Sequence, residues 1–209
     1  MAQLPIGAVV FDLGGVVIDW NPRHLFRELF TDAEEVEYFL AEICTLEWHA
    51  QHDQGRDMAE TIPVLCERHP AYASHISAWR ERYVDMVDGY IEGMPDLLDE
   101  LRAAGVPRYA LSNMPAEVIG ELRAAFPLLD LFDGVIVSGE ELVAKPDPEI
   151  YRLLSRRFQL DPATTVFVDD MAVNVDAAWQ LGFRAVRFES ATNLRQALAR
   201  WGLPLRPAA

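Results

Sequence analysis

Five short apolar runs, Ile6 to Phe11, Arg108 to Ser112, Gly134 to Ser138, Thr165 to Val168 and Arg184 to Phe188, set the tightest limit on how this chain can fold. Each has strand length and is nearly continuous in hydrophobicity, the pattern of a strand covered on both faces. Helical punctuation lies between them. Pro95 and Asp96 open an apolar series at Leu97, Leu98 and Leu101 that stops at Gly105, with proline just inside a helix start and glycine just past its end. Pro115 precedes Val118, Ile119 and Leu122, Ala177, Ala178 and Leu181 end at Gly182, and a last helix runs from about Asn193 to Arg200. Pro204 to Ala209 reads as a frayed tail. Strands alternating with helices predict an α/β fold with a doubly wound, mainly parallel, Rossmann-like sheet.

The interval from Trp20 to Tyr90 breaks this alternation. Leu25, Phe26, Leu29 and Phe30, then Val36, Phe39, Leu40 and Ile43, recur at helical spacing, and no clear strand is visible. The predicted organisation is a core of residues 1–19 and 91–209 interrupted by a helical module, residues 20–90, that sits over the crevice as a lid. At 209 residues, one core domain with an insertion is favoured over two equal domains.

Composition narrows the class of partner. The formal net charge of -15 argues against nucleic acid, whose phosphate backbone calls for a basic surface. No apolar segment approaches the roughly 18 residues that span a bilayer, and the N-terminus lacks signal-peptide order, so the expectation is a cytoplasmic protein with no membrane partner. Cys44 and Cys66 have no metal-ligand spacing and read as reduced, buried thiols.

Chemistry is concentrated where strands end. Asp12 closes Val9-Val10-Phe11 and opens Leu13-Gly14-Gly15. Ser112-Asn113 follows Tyr109-Ala110-Leu111, Asp169-Asp170 follows Val166-Phe167-Val168, and Lys145-Pro146 lies between the latter two. In an open parallel sheet, ligands bind beyond the carboxyl ends of the strands, where these groups can converge. Taken singly, Asp12 is a turn residue, Ser112-Asn113 a helix cap and Lys145-Pro146 a surface dipeptide. Adjacent carboxylates at the end of an apolar strand are harder to dismiss, because they repel unless a cation or donor compensates.

In this order the four motifs resemble those of the haloacid dehalogenase superfamily, in its phosphatase-like branch with a helical cap. The resemblance covers nearly the whole chain. It implies a hydrolase in which Asp12 attacks a phosphomonoester to form an aspartyl phosphate, splitting one difficult displacement into two easier ones. It also implies Mg²⁺ held by Asp12, the Gly14 carbonyl, Asp170 and, directly or through a partner, Asp169. Ser112 and Asn113 would hold phosphoryl oxygens, and Lys145 would balance charge on nucleophile and transferring group. Asn174 and Asp176 would orient the acidic loop. The expected substrate is a small phosphorylated metabolite, a sugar phosphate in the first instance, and the expected assembly is a monomer or homodimer.

One position departs from the common pattern. Many phosphatases of this superfamily carry a second aspartate two residues after the nucleophile, which protonates the leaving group and then activates water. Here that position is Gly14. Such help is typically worth ~10²- to 10⁴-fold, so the proton has to come from water, substrate or cap. Asp19, His24, His49, His52 and Asp53 are the cap candidates, Trp48 to Gly55 is the substrate-facing stretch, and Trp20, Asn21 and Arg23 stand near the entrance. Two rival readings remain: a low-turnover protein that binds a phosphometabolite, and a metal-independent 2-haloacid dehalogenase on the same scaffold. Dehalogenases of that kind typically carry small neutral residues where this chain has Asp169-Asp170, and an aromatic residue where it has Gly14.

Overall fold

In the computed structural model, which describes residues 4–205, five parallel strands form one sheet. They are β1 (Ala8–Phe11), β4 (Arg108–Ser112), β5 (Gly134–Val137), β6 (Thr165–Asp169) and β7 (Arg184–Arg187), in the order β5-β4-β1-β6-β7. All five predicted runs become strands, each within one or two residues of the expected limits. From the central β1 the chain moves outward through β4 and β5, then crosses back to β6 and β7 on the other side. The reversal falls at β1, so the crevice opens beyond Phe11.

Alternation along β1 divides the core. Val9 and Phe11 face one apolar cluster with α6 (Met94–Ala103) and α11 (Ala191–Arg200), through Leu97, Leu98, Leu101, Leu194 and Leu198. Val10 faces the other with α9 (Pro148–Phe158) and α10 (Ala172–Gln180), through Ile150, Tyr151, Leu154 and Ala178. The sheet is therefore doubly wound. Helix ends follow the sequence signals: Gly105 and Gly182 adopt φ of +71° and +91° just after α6 and α10, and the Ser190 side chain accepts from Asn193 N to start α11. Of the predicted tail, residues 206–209 lie outside the described residues.

Between β1 and α6 five α-helices accumulate, α1 (Pro22–Leu29), α2 (Ala33–Tyr38), α3 (Leu46–Asp53), α4 (Met58–Arg68) and α5 (Ala73–Glu81). Phe26, Phe39 and Trp79 fill their centre and join the same apolar cluster as β1. The expectation of an insertion without strands requires correction. β2 (Ile18–Trp20) and β3 (Val87–Tyr90) pair antiparallel at its base, Ile18 opposite Tyr90 and Trp20 opposite Val87. Val-Asp-Gly-Tyr has neither an apolar run nor clean alternation, and its strand character comes from the backbone partner that the fold supplies. Both cysteines are free, as expected, but only Cys44 is buried, and Cys66 is half-buried.

Two glycines fasten the surroundings of the crevice. A Cβ on Gly139 would lie 2.6 Å from Ala116 N and 2.8 Å from Met114 O, backbone atoms of the loop that carries Asn113. Gly139→Ala is expected to push that loop off β5 and cost about 1–3 kcal/mol, the usual price of overpacking, read as a lowered urea midpoint. Gly55, at φ +92°, brings the end of α3 against Gly139 O and the Leu142 side chain, which holds the insertion over the loop leading to Lys145.

Candidate active site

Asp12 is the first residue past β1. Its backbone N–H donates to Val168 O at 2.8 Å, and its Oδ1 accepts from Leu13 N at 2.7 Å, so the turn itself aims the carboxylate into the crevice. Gly15 (φ +73°) lets the turn pass close to Asp170: a Cβ there would lie 2.9 Å from Asp170 Oδ2.

Lys145 is the pivot. Its side chain is fully buried, with Nζ 3.0 Å from Asp12 Oδ2 and 2.7 Å from Asp169 Oδ2. Burial pushes its ammonium toward the neutral form, but the two carboxylates outweigh burial and hold it charged, above its ordinary value. Its backbone is clamped by Asn113, whose amide donates to Lys145 O and accepts from Lys145 N, both at 2.9 Å. The expected phosphate role of Asn113 is thereby narrowed. Its side chain positions the lysine. Each such bond is worth about 0.5–1.5 kcal/mol, so Asn113→Ala should lower stability by about 1–3 kcal/mol and depress turnover, checked by denaturation and by initial rates.

Asp169, at the end of β6, is saturated by protein donors. Besides Lys145 it accepts from Met171 N at 2.9 Å and from Asn174 Nδ2 at 3.0 and 3.1 Å. Asn174 thus has the orienting place expected of it, whereas Asp176 is exposed and outside the cavity lining. Asp170 is less buried than Asp169, and burial first, then the Asp169 charge, raise its carboxyl above the ordinary value. For Asp12 burial dominates, Lys145 opposes, Asp169 reinforces, and the carboxyl is pushed up to about 7. Oxygen ligand atoms of Asp12, Asp169 and Asp170 lie within 4.8 Å of one another. Three carboxylates against one ammonium leave an anionic excess that a hard divalent cation suits, and an all-oxygen set matches Mg²⁺.

These groups open into a cavity of about 360 Å³, lined on the core side by Asp12, Gly14, Ser112, Asn113 and Asp170 and on the insertion side by Trp20, Leu46, His49, Asp53 and Tyr83. Buried Ser112 ends β4. Of the other proposed residues, Asn21 caps α1 and Arg23 pairs with Glu37. Both face a second cavity that shares Trp20 and Leu46 with the first. His24 pairs with Asp19 at 3.3 Å outside the crevice, and His52 is tied to Thr61 Oγ1 at 2.7 Å inside the insertion. Leu46 and Tyr83 were missed, because single apolar or aromatic residues in a helical module carry no local mark of a cavity.

A profile of the haloacid dehalogenase-like hydrolases matches residues 6–182. The chain belongs to this family. Among relatives of this haloacid dehalogenase-like hydrolase, the sesquiterpene phosphatase astK of Aspergillus oryzae is 31% identical over 84% of this chain and 86% of its own. (S)-2-haloacid dehalogenase 1 of a Pseudomonas strain is 34% identical over 49% of this chain and 47% of its own. A HAD family enzyme of Bacteroides thetaiotaomicron, solved in complex with magnesium and inorganic phosphate, superposes with a TM-score of 0.66 at 26% identity, covering 88% of this chain and 95% of that one. Both chemistries therefore occur among relatives of this hydrolase.

Proposed function

We propose that this hydrolase is a Mg²⁺-dependent phosphomonoesterase working through an aspartyl phosphate. The observation that carries the reading is the buried Asp12–Lys145–Asp169 array beside Asp170. Asp12, Asp170 and the Gly14 carbonyl would hold Mg²⁺, with Asp169 aligning the loop through Lys145 and Asn174. Bound there, the ion would offset the anionic excess, keep Asp12 ionised and draw charge from the phosphoryl group.

The chain's own side chains do the rest. Asp12 Oδ2 attacks phosphorus and the P–O bond to the leaving group breaks. Lys145 Nζ balances charge on the nucleophile and on the transferring group, while the Ser112 hydroxyl and the Asn113 N–H receive phosphoryl oxygens. Water then attacks the acyl phosphate and regenerates Asp12. A role as lid for the helical insertion is supported by the side chains it contributes to the cavity wall, and every group invoked comes from one chain, so a monomer suffices.

A sugar phosphate remains the first substrate class to test. Leu46, Leu122, Met114 and Met171 in the cavity wall also favour a second class, an isoprenyl phosphate, because such a wall gains from burying hydrocarbon. The deciding assay is phosphate release from a panel of both classes with and without Mg²⁺, using Asp12→Asn as control. Dehalogenation of 2-chloropropionate in chelator would establish the carbon chemistry instead, and tight ligand binding without release would establish the sensor.

A further inference from the structure

Gly14 leaves the attacking aspartate without a proton-transfer partner on its own loop, and the opposite wall of the same cavity holds one carboxyl group. Asp53 ends α3, its side chain only 13% exposed, and its buried Oδ1 makes no well-formed hydrogen bond, His49 Nε2 standing off at 3.5 Å. A buried acceptor so weakly paired carries a desolvation cost that native structures seldom retain without a use.

The neighbours of Asp53 decide which group can carry the proton. His49 Nε2 lies 3.5 Å from Asp53 Oδ1, and Trp79 Nε1 donates to His49 Nδ1 at 3.2 Å. Tryptophan can only donate, so the free lone pair of His49 is at Nδ1, facing away from the cavity, and Nε2 carries the hydrogen. Burial depresses the imidazole to about 3, so near neutrality it is uncharged. It has no proton to give short of becoming an imidazolate, and no lone pair toward the cavity with which to take one. Trp20 stacks on the ring at 5.3 Å between centroids and fixes it. His49 is a positioning residue.

The Lys145 charge reaches Asp53 and pulls its carboxyl down, and the buried Tyr83, which lines the cavity, has its hydroxyl held un-ionised by burial and then by the Asp53 charge. Burial outweighs the pull of Lys145 and raises the Asp53 carboxyl to about 7, a value at which a group can both give and take a proton near neutral pH.

Building on the phosphomonoesterase reading, we infer that Asp53, contributed by the insertion, is the general acid and base of the reaction in place of a residue at position 14. In the first step Asp53 passes its proton to the leaving-group oxygen as the ester P–O bond breaks and the Asp12 Oδ2–P bond forms. In the second, the Asp53 carboxylate takes a proton from water while the water oxygen bonds to phosphorus. The acyl phosphate then opens, releasing inorganic phosphate and free Asp12 and leaving Asp53 protonated again. Each cycle consumes one water and yields one alcohol and one phosphate.

The test compares wild type, Asp53→Asn and Asp53→Ser on an alkyl phosphomonoester and on p-nitrophenyl phosphate, whose leaving group departs as an anion. Loss of the acid should slow the alkyl ester by ~10²- to 10⁴-fold. With p-nitrophenyl phosphate the burst of nitrophenol should survive while steady turnover slows and acid-quenched phosphoenzyme accumulates. A Cβ on Gly14 would meet only Trp20 Cβ, at 3.6 Å, so position 14 has room for a side chain to begin, and adding Gly14→Asp to Asp53→Asn should restore alkyl-ester turnover. Equal losses on both substrates without phosphoenzyme build-up, or no loss on either, would overturn the assignment while leaving the aspartyl-phosphate reading intact. A wild-type enzyme that turns over without any phosphoenzyme would take both down.

Discussion

Asp12→Asn should lower phosphate release by about 10⁴- to 10⁶-fold, the scale on which removing a covalent nucleophile acts, and should remove the acid-stable phosphoenzyme altogether. The fold should survive, because the neutral amide can still accept from Leu13 N through its oxygen. Stability should move the other way. In protein free of divalent cations, burial raises the Asp12 carboxyl from 3.8 to about 7, so the folded state holds a proton that the unfolded chain releases. The native state gains from this proton below the unfolded value and loses the gain as pH rises through about 7. Asp12→Asn, which needs no proton, should therefore match or exceed the wild-type melting temperature at pH 8 in chelator while being catalytically dead. Active sites commonly trade stability for chemistry in this direction. Retained turnover in Asp12→Asn would eliminate the covalent route, and a lower melting temperature under those conditions would show that the Asp12 charge supports the fold.

Lys145→Met should be the most damaging single change. It leaves Asp12 and Asp169 facing one another with no cation, in a site where Lys145 and Asp169 have no exposed side-chain surface. Breaking a buried ion pair from one side costs about 3–5 kcal/mol, which for a domain of this size corresponds to a melting-temperature drop of about 6–20 °C. The loss should be greatest above about pH 7, where Asp12 is ionised, and smaller in acid. Activity should vanish with it, since the lysine contacts Asp12, the proposed nucleophile. Thermal unfolding across pH 5–9 checks the first point, and an unchanged melting temperature throughout would refute it. Residual activity near the wild-type rate would place the charge balance elsewhere.

Much of the scaffold was legible in the chain. Val9-Val10-Phe11 and Val166-Phe167-Val168 read as strands because both faces of this sheet are covered, so hydrophobicity is continuous and needs no partner to be recognised. The glycines after α6 and α10 marked helix ends for an equally local reason, the positive φ at which they stand. β3 escaped notice because Val87 to Tyr90 becomes a strand only by pairing with Ile18 and Trp20.

The site divides along the same line. Asp12, Ser112, Lys145, Asp169 and Asp170 could be named in advance because each stands at a strand end or in the loop between two of them, and parallel strands necessarily bring those ends together. The division of labour could not be named, because it lies in contacts between residues distant in sequence. The Asn113 amide closes on the Lys145 backbone 32 positions away, and Trp79 turns the His49 ring from 30 positions away. Asp53 was one of five acidic or imidazole candidates, three of them in the stretch from Trp48 to Gly55, until α3 was laid over the crevice. Local pattern, being a matter of backbone preference and hydrophobic period, thus marked out the strands, most helices and the carboxylate that closes β1. Burial and hydrogen-bond partnership set proton affinity, and they exist only once the chain has closed on itself, so only the packed molecule distinguishes Asp53 from its neighbours.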